Sequence, residues 1–176
     1  MAGAEAEAPE LGGVLRITWA ADGLAHVLEH CQTDEPTGTW TGLACPGHGL
    51  DIGADVDNEE LRRLAHGEIA DLIWEAPPEF TTEHGHLCLA AIQAYQAGDH
   101  ETGERLWGQV QTLWSQAWSA NHYALSLMQR SGLTRFLPEK PQRWVIASFE
   151  HHCGPHGVAH PHVHNIVITG LTTGPA

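Results

Sequence analysis

The sequence predicts an α+β fold in which a sheet of antiparallel type is layered with helices. Three observations predict it. Runs rich in β-branched and aromatic residues stand near both ends of the chain, at residues 14–19, 144–149 and 166–168. A long helical region lies between them, where Leu106, Trp107, Val110, Leu113, Trp114 and Trp118 form an apolar stripe at helical spacing. The resulting order of strand, helix, loop, helix, strand, helices and a final strand pair shows no internal repeat and suits a sheet covered by helices.

Taken in order, residues 1–13 are Ala/Glu/Gly/Pro in character and are expected to be disordered. Residues 14–170 are expected to form one domain and 171–176 a flexible tail, since 176 residues suffice for one sizeable core. Residues 14–19 partly alternate apolar with polar and suggest a first strand. Residues 20–30 read as a helix, with Asp22 near its start, Leu24, Val27 and Leu28 at helical spacing, and His26 and His30 one turn apart. A loop rich in Gly, Pro, Asp and Thr follows over 33–53, with short extended pieces around Trp40. Residues 55–67 carry capping residues, early acids, later arginines and a closing glycine, the marks of a short helix.

A second strand is expected over 69–74, stopped by Pro77 and Pro78. Residues 83–96 then form a helix with Leu87, Leu89, Ala90, Ala91 and Ile92 on or near its apolar face. After a break at 98–100, residues 101–130 read as one long helix or two, ended by Gly132. Core packing is the expected role of the tryptophan stripe, rather than stacking on bases. Pro138 and Pro141 mark a linker into the last strand pair.

Composition narrows the class of function. With 42% hydrophobic and 17% charged residues the chain is globular rather than disordered. No apolar run approaches a membrane span and no signal-peptide pattern opens the chain, so no membrane partner and a cytoplasmic location are expected. The 22 acidic residues against 8 basic ones leave a net charge of -14. Such a surface repels nucleic acid at long range and favours a protein partner or a basic ligand; a metal ion or protonated histidines reverse the field only locally. Cys31, Cys45, Cys88 and Cys153 form no CxxC pair, which leaves zinc-finger and redox motifs unsupported.

The chemistry-bearing stretch runs over residues 143–170, where six of the fourteen histidines fall between His151 and His164. Two strands joined by a Gly/Pro-rich loop would place His160, His162 and His164 on one face, because alternate residues of a strand share a side. Imidazoles so placed can share one metal ion. A third ligand from the neighbouring strand, His151 or His152, would leave coordination positions open, and Cys153 is an alternative soft ligand. The plainer alternative is a histidine-rich surface loop that binds metals incidentally.

Several local patterns together make the chain resemble the relaxase domain of conjugative plasmids, of the TrwC/TraI (MobF) type, which carries the His-hydrophobic-His signature known as HUH. Phe149, Glu150 and His151 look like the start of that family's three-histidine motif, and His162, Val163 and His164 like its end. Weaker matches are similar in the same order: Gly38, Trp40 and Gly42, then Gly49, Leu50 and the segment from Asp57 to Leu61, then the stretch from Asp71 to Pro77. The resemblance implies His151, His162 and His164 as ligands of one divalent ion (Mg, Mn, Zn, Ni or Cu). It also implies Asp71 as the candidate acid or histidine partner, whose alternative is a strand-edge aspartate in water.

The family nicks single-stranded DNA with N-terminal tyrosines, and there the resemblance breaks. The only tyrosines are Tyr95 and Tyr123, both in the helical middle, while the place of a tyrosine pair holds His26 and Val27. Pro78, Glu79 and Phe80 replace an expected lysine and serines, and the chain stops soon after the histidine strand. The resemblance therefore implies either a metal-dependent DNA endonuclease or strand-transferase, or a truncated relative that does not nick. In the first, Asp71 would be the base and the nucleophile water, His26 or a displaced tyrosine. In the second, the chain is a metal-binding accessory or regulatory module in conjugation and mobilisation, or a scaffold turned to small-molecule chemistry, with Trp-rich helices facing the histidines and lining a pocket.

Overall fold

A computed structural model describes residues 12–31, 38–131, 143–153 and 159–171. Strand β1 (Val14–Ala20) leads into helix α1 (Gly23–His30), and a two-residue strand β2 (Thr39–Trp40) precedes a short 3-10 turn (Cys45–His48) and helix α2 (Asn58–Leu64). Strand β3 (Ile69–Glu75) is followed by helices α3 (Pro78–Gln96) and α4 (His100–Ser131), then by strands β4 (Val145–Cys153) and β5 (Ala159–Ile168). The class is α+β, with a five-stranded sheet in the order β1-β3-β5-β4-β2, antiparallel throughout. Among the described residues no helix is long and apolar enough to cross a membrane.

The sheet separates two layers. Ile69, Val145, Ala147, Phe149, Ile166 and Ile168 face one side, where Val27 and Cys31 of α1, Leu61 and Leu64 of α2, Trp40, Cys45 and Leu50 close a core. Ala70, Leu72, Trp74, Ile146, Val163 and Val167 face the other side and pack on α3 and α4 through Phe80, Trp114, Ala117, Ala120 and Leu125. Side chains alternate between the two faces along β3 and β5, and β3 reads as a nearly continuous apolar run because both of its faces are covered.

Several boundaries follow local chemistry that patterning alone did not resolve. Helix α1 starts at Gly23 because the Asp22 carboxylate accepts from Ala25 N at 3.0 Å, a regular N-cap. Helix α2 is capped likewise by Asp57, which accepts from Glu59 N and Glu60 N. Helix α3 begins at Pro78, five residues before the expected start at Glu83. Proline at the first helical position loses no hydrogen bond and brings a helical φ, so the pair expected to stop β3 also opens α3. The region after the 98–100 break is a single helix of 32 residues, capped by Asp99 accepting from Thr102 N at 3.1 Å.

The last two strands are longer than their apolar cores suggest and carry the histidines with them. β4 extends through residues 151–153 and β5 starts at Ala159, so His151, His162 and His164 sit on strands, not in the joining loop. Pro161 is accommodated because the register shifts between His151 and Cys153, and at that bulge a missing backbone N–H costs no ladder bond. Residues 1–11, the linker prolines Pro138 and Pro141, Gly132, His156 and the tail at 172–176 lie outside the described residues, as does the Cys153 side chain.

A buried polar chain ties the sheet to α4. Asn165 on β5 donates to the Leu72 carbonyl at 2.8 Å and exchanges hydrogen bonds with Asn121 at 2.8 and 3.0 Å, while Ser148 donates to it and pairs with Thr41. Such a network fixes one register, because a slip would leave several buried groups without partners.

Candidate metal centre

The register of the two central strands assembles the centre. His151 on β4 lies directly opposite His162 on β5, and His164 lies opposite Phe149 on β4 and Ile73 on β3. The three imidazoles form a nearly equilateral group, with ring centroids 5.0 Å apart for every pair. One nitrogen of each lies within 4.8 Å of one nitrogen of the others. Three imidazoles bound to a tetrahedral ion through bonds of about 2.1 Å have centroids about 5 Å apart, so this group could hold a metal ion with little movement.

Hydrogen bonds orient each ring. Asp71 Oδ2 accepts from His164 Nδ1 at 2.7 Å, which turns Nε2 of His164 to the centre. The His160 carbonyl accepts from His162 Nδ1 at 2.6 Å, with the same consequence for its Nε2. His151 Nε2 donates to the Cys31 carbonyl at 3.4 Å, which leaves Nδ1 as the nitrogen that could bind an ion. A carboxylate or carbonyl behind each ligating imidazole is the usual outer shell of a metal site, setting tautomer and ring angle before the ion arrives.

Helix α1 and its C-cap bring the Cys31 carbonyl and His26 to the centre, because Val27 and Cys31, one turn apart, anchor this segment in the core. Its start is pressed onto β3: Gly23 N donates to the Gly67 carbonyl at 2.8 Å, and a Cβ at Gly23 would stand 2.4 Å from an Ile69 methyl. That approach carries His26 to Asp71, where His26 Nε2 donates to the same Oδ2 at 2.8 Å. Asp71 is fully buried and bonded to histidine, which rules out the alternative of a strand-edge aspartate in water. Its other oxygen, Oδ1, is buried with no hydrogen-bond partner.

The electrostatics favour the ligand form. Burial first, then the neighbouring His164, His151 and His160, push the His162 pKa down to about 4, although the His160 carbonyl opposes this. A neutral imidazole is the form that binds metal, so near pH 7 no proton has to be displaced from His162. At the rim, Glu75 forms an ion pair with Arg16 and stands 3.6 Å from His160 Nε2.

All five sequence-expected residues, His151, His162, His164, Asp71 and His26, thus meet in one place. His160 lies next to His162 at 4.8 Å between centroids but is half exposed, and only its carbonyl serves the centre. His152 points to the opposite face, where it lies against Trp114 at 4.2 Å and stacks on His84 at 5.5 Å. The described tryptophans of α4 that pack on the sheet, Trp114 and Trp118, therefore lie on the face opposite the histidine centre, because one strand presents His151 and His152 to opposite sides. Trp114 is buried and donates to Glu150, a core role. The Cys31 carbonyl, the Arg16 and Glu75 rim and the His84–His152 stack had no signal in the sequence, since each depends on a tertiary approach.

Two expectations follow. Asp71→Asn lowers metal affinity about 10- to 100-fold, because the amide can present its NH₂ to His164 Nδ1 and release the tautomer; calorimetric titration of both proteins checks this. Acid also destabilises the fold. Burial, together with the charge of His152, lowers the His84 pKa from 6.5 to about 4, and burial lowers His162 similarly and His122 in the same direction. Above pH 6.5 these groups are neutral in both states, so their full contribution is present. As pH falls from about 6.5 toward 4 the unfolded chain takes up protons that the folded chain refuses, and stability declines. Urea midpoints of the metal-free protein across that range measure the decline.

No family model matches the chain, and no curated protein matches it at a significant level.

Proposed function

We propose that this chain is a metal-binding domain of relaxase-like HUH architecture. In this reading His151, His162 and His164 hold one divalent ion whose remaining positions take a phosphate oxygen of single-stranded DNA. The observation that carries the proposal is the imidazole triangle with the buried Asp71 behind His164. Supporting it are the two-residue spacing of His162 and His164 on a central strand and the placing of His26 beside Asp71, where the resemblance sets the nucleophile next to the aspartate. Three neutral imidazoles suit zinc, nickel, copper or iron better than magnesium, which prefers oxygen ligands. Bound there, the ion would polarise a phosphate oxygen and stabilise charge developing on it.

A second reading, a metal-binding accessory module that does not nick, is favoured by one specific observation. Both tyrosines of the chain lie on α3 and α4, the helices packed on the sheet face opposite the histidines, so no phenolate of this chain faces the centre. The net charge of -14 favours the same reading, with a protein partner in place of DNA. The test pairs metal analysis of purified protein with labelled single-stranded oligonucleotides incubated with Mn²⁺, Mg²⁺, Zn²⁺ or Ni²⁺. Bound metal with cleavage supports the first reading, and bound metal without cleavage or adduct supports the second. Failure to bind any of these ions rejects both.

A further inference from the structure

We infer that the centre is built for two ions: His26 Nε2, Asp71 and His164 Nδ1 form a second divalent-cation site, joined to the first through the imidazole of His164. The inference rests on the reading of His151, His162 and His164 as the first site and extends it.

The geometry is that of two donor groups sharing a member. His26, Asp71 and His164 each offer a ligand atom, all within 4.8 Å of one another, as do His151, His162 and His164. His164 serves the two groups through different ring nitrogens, since its Nδ1 meets Asp71 while the hydrogen bond there turns Nε2 toward His151 and His162. The donors of the second group sit 2.7 and 2.8 Å from Asp71 Oδ2, held by protons. Around an ion with bonds of about 2.0–2.2 Å, neighbouring ligand atoms stand about 3.3 Å apart, so entry of the ion requires a widening of about half an ångström.

An independent observation points to a cation at this place. Asp71 has no exposed surface, and its Oδ1 has no hydrogen-bond partner while Oδ2 serves two imidazoles. A buried carboxylate with one bare oxygen is under-compensated, because an ionised group deprived of water needs charge or hydrogen bonds on both oxygens. A divalent ion bound to the carboxylate supplies that charge. The protons balance simply. The one on His164 Nδ1 leaves to solvent as the ring becomes a bridging imidazolate, and the one on His26 Nε2 shifts to Nδ1, so that ring stays neutral. The ligand set of two nitrogens and a carboxylate suits Zn²⁺, Cu²⁺ or Co²⁺.

The test is stoichiometry on the intact chain, stripped with chelator and titrated separately with Zn²⁺ and Cu²⁺. Two ions per chain are expected. In the doubly loaded copper form the spin-resonance signal should integrate to well below two spins, because an imidazolate bridge couples them. His26→Ala, and His26→Gln as a variant that preserves side-chain bulk, should each bind one ion with an uncoupled signal, and His162→Ala should retain the ion at His26 and Asp71. One ion per chain in the native protein, or two in both His26 variants, overturns the inference while leaving the first site standing. No ion in the native protein removes the first site as well.

Discussion

His162→Ala should weaken binding at the three-histidine site by more than about 100-fold, beyond the 10- to 100-fold typical when only an outer partner is removed. The remaining pair, His151 and His164, cannot close a three-point site, and the lost nitrogen is the one whose ring the His160 carbonyl already orients. The fold should survive. His162 stands at the edge of the layered core, beside a bulge and a half-exposed His160, so its truncation opens a site that water can enter rather than an apolar cavity. Calorimetric titration and far-ultraviolet dichroism of both proteins measure the two quantities together. Unchanged affinity and unchanged metal content in a folded variant would show that His162 is no ligand.

Trp74→Ala should cost about 3–5 kcal/mol, the usual range for emptying a tryptophan site in a core. Trp74 is almost fully buried against Phe80, Trp114 and Ala117, and its cross-strand neighbour on β5 is Val163. A domain of this size should then melt roughly 6–20 °C lower. The effect should reach the histidine centre, because Val163 lies between His162 and His164 and packs beside Trp74, its cross-strand partner on the same face. Thermal melts with and without Zn²⁺ test the link: the variant should lose metal affinity as well as stability. A loss below about 1 kcal/mol would mean that the helix layer closes over the gap.

The comparison of expected with observed elements shows where sequence information ends. Strands β1, β3, β4 and β5 were legible because β-branched and aromatic runs carry their own period, and α2 because Asp57, the early glutamates and the late arginines mark both ends. The start of α3 was missed because Pro77 and Pro78 serve equally to stop a strand and to open a helix. The choice was made by packing of Phe80 and His84 on the sheet. His152 was weighed equally with His151 as a ligand on spacing alone. The register that sets His151 against His162 is a pairing between strands, which one strand's pattern does not contain.

What the sequence by itself determined is the α+β class and most of the elements, because period is a local property; the five residues His26, Asp71, His151, His162 and His164 were picked out by the resemblance to relaxases and not by spacing. What only the tertiary structure decided is that these five converge. Asp71 sits on β3, His26 on α1 and the triangle on β4 and β5, and three separate approaches had to coincide: Gly23 against Ile69, β3 beside β5, and His151 opposite His162. Tertiary structure also decided that Trp114 and Trp118 of α4 belong to the other face. Those outcomes depend on burying two faces of one sheet at once, a condition satisfied by the whole chain and not by any segment of it.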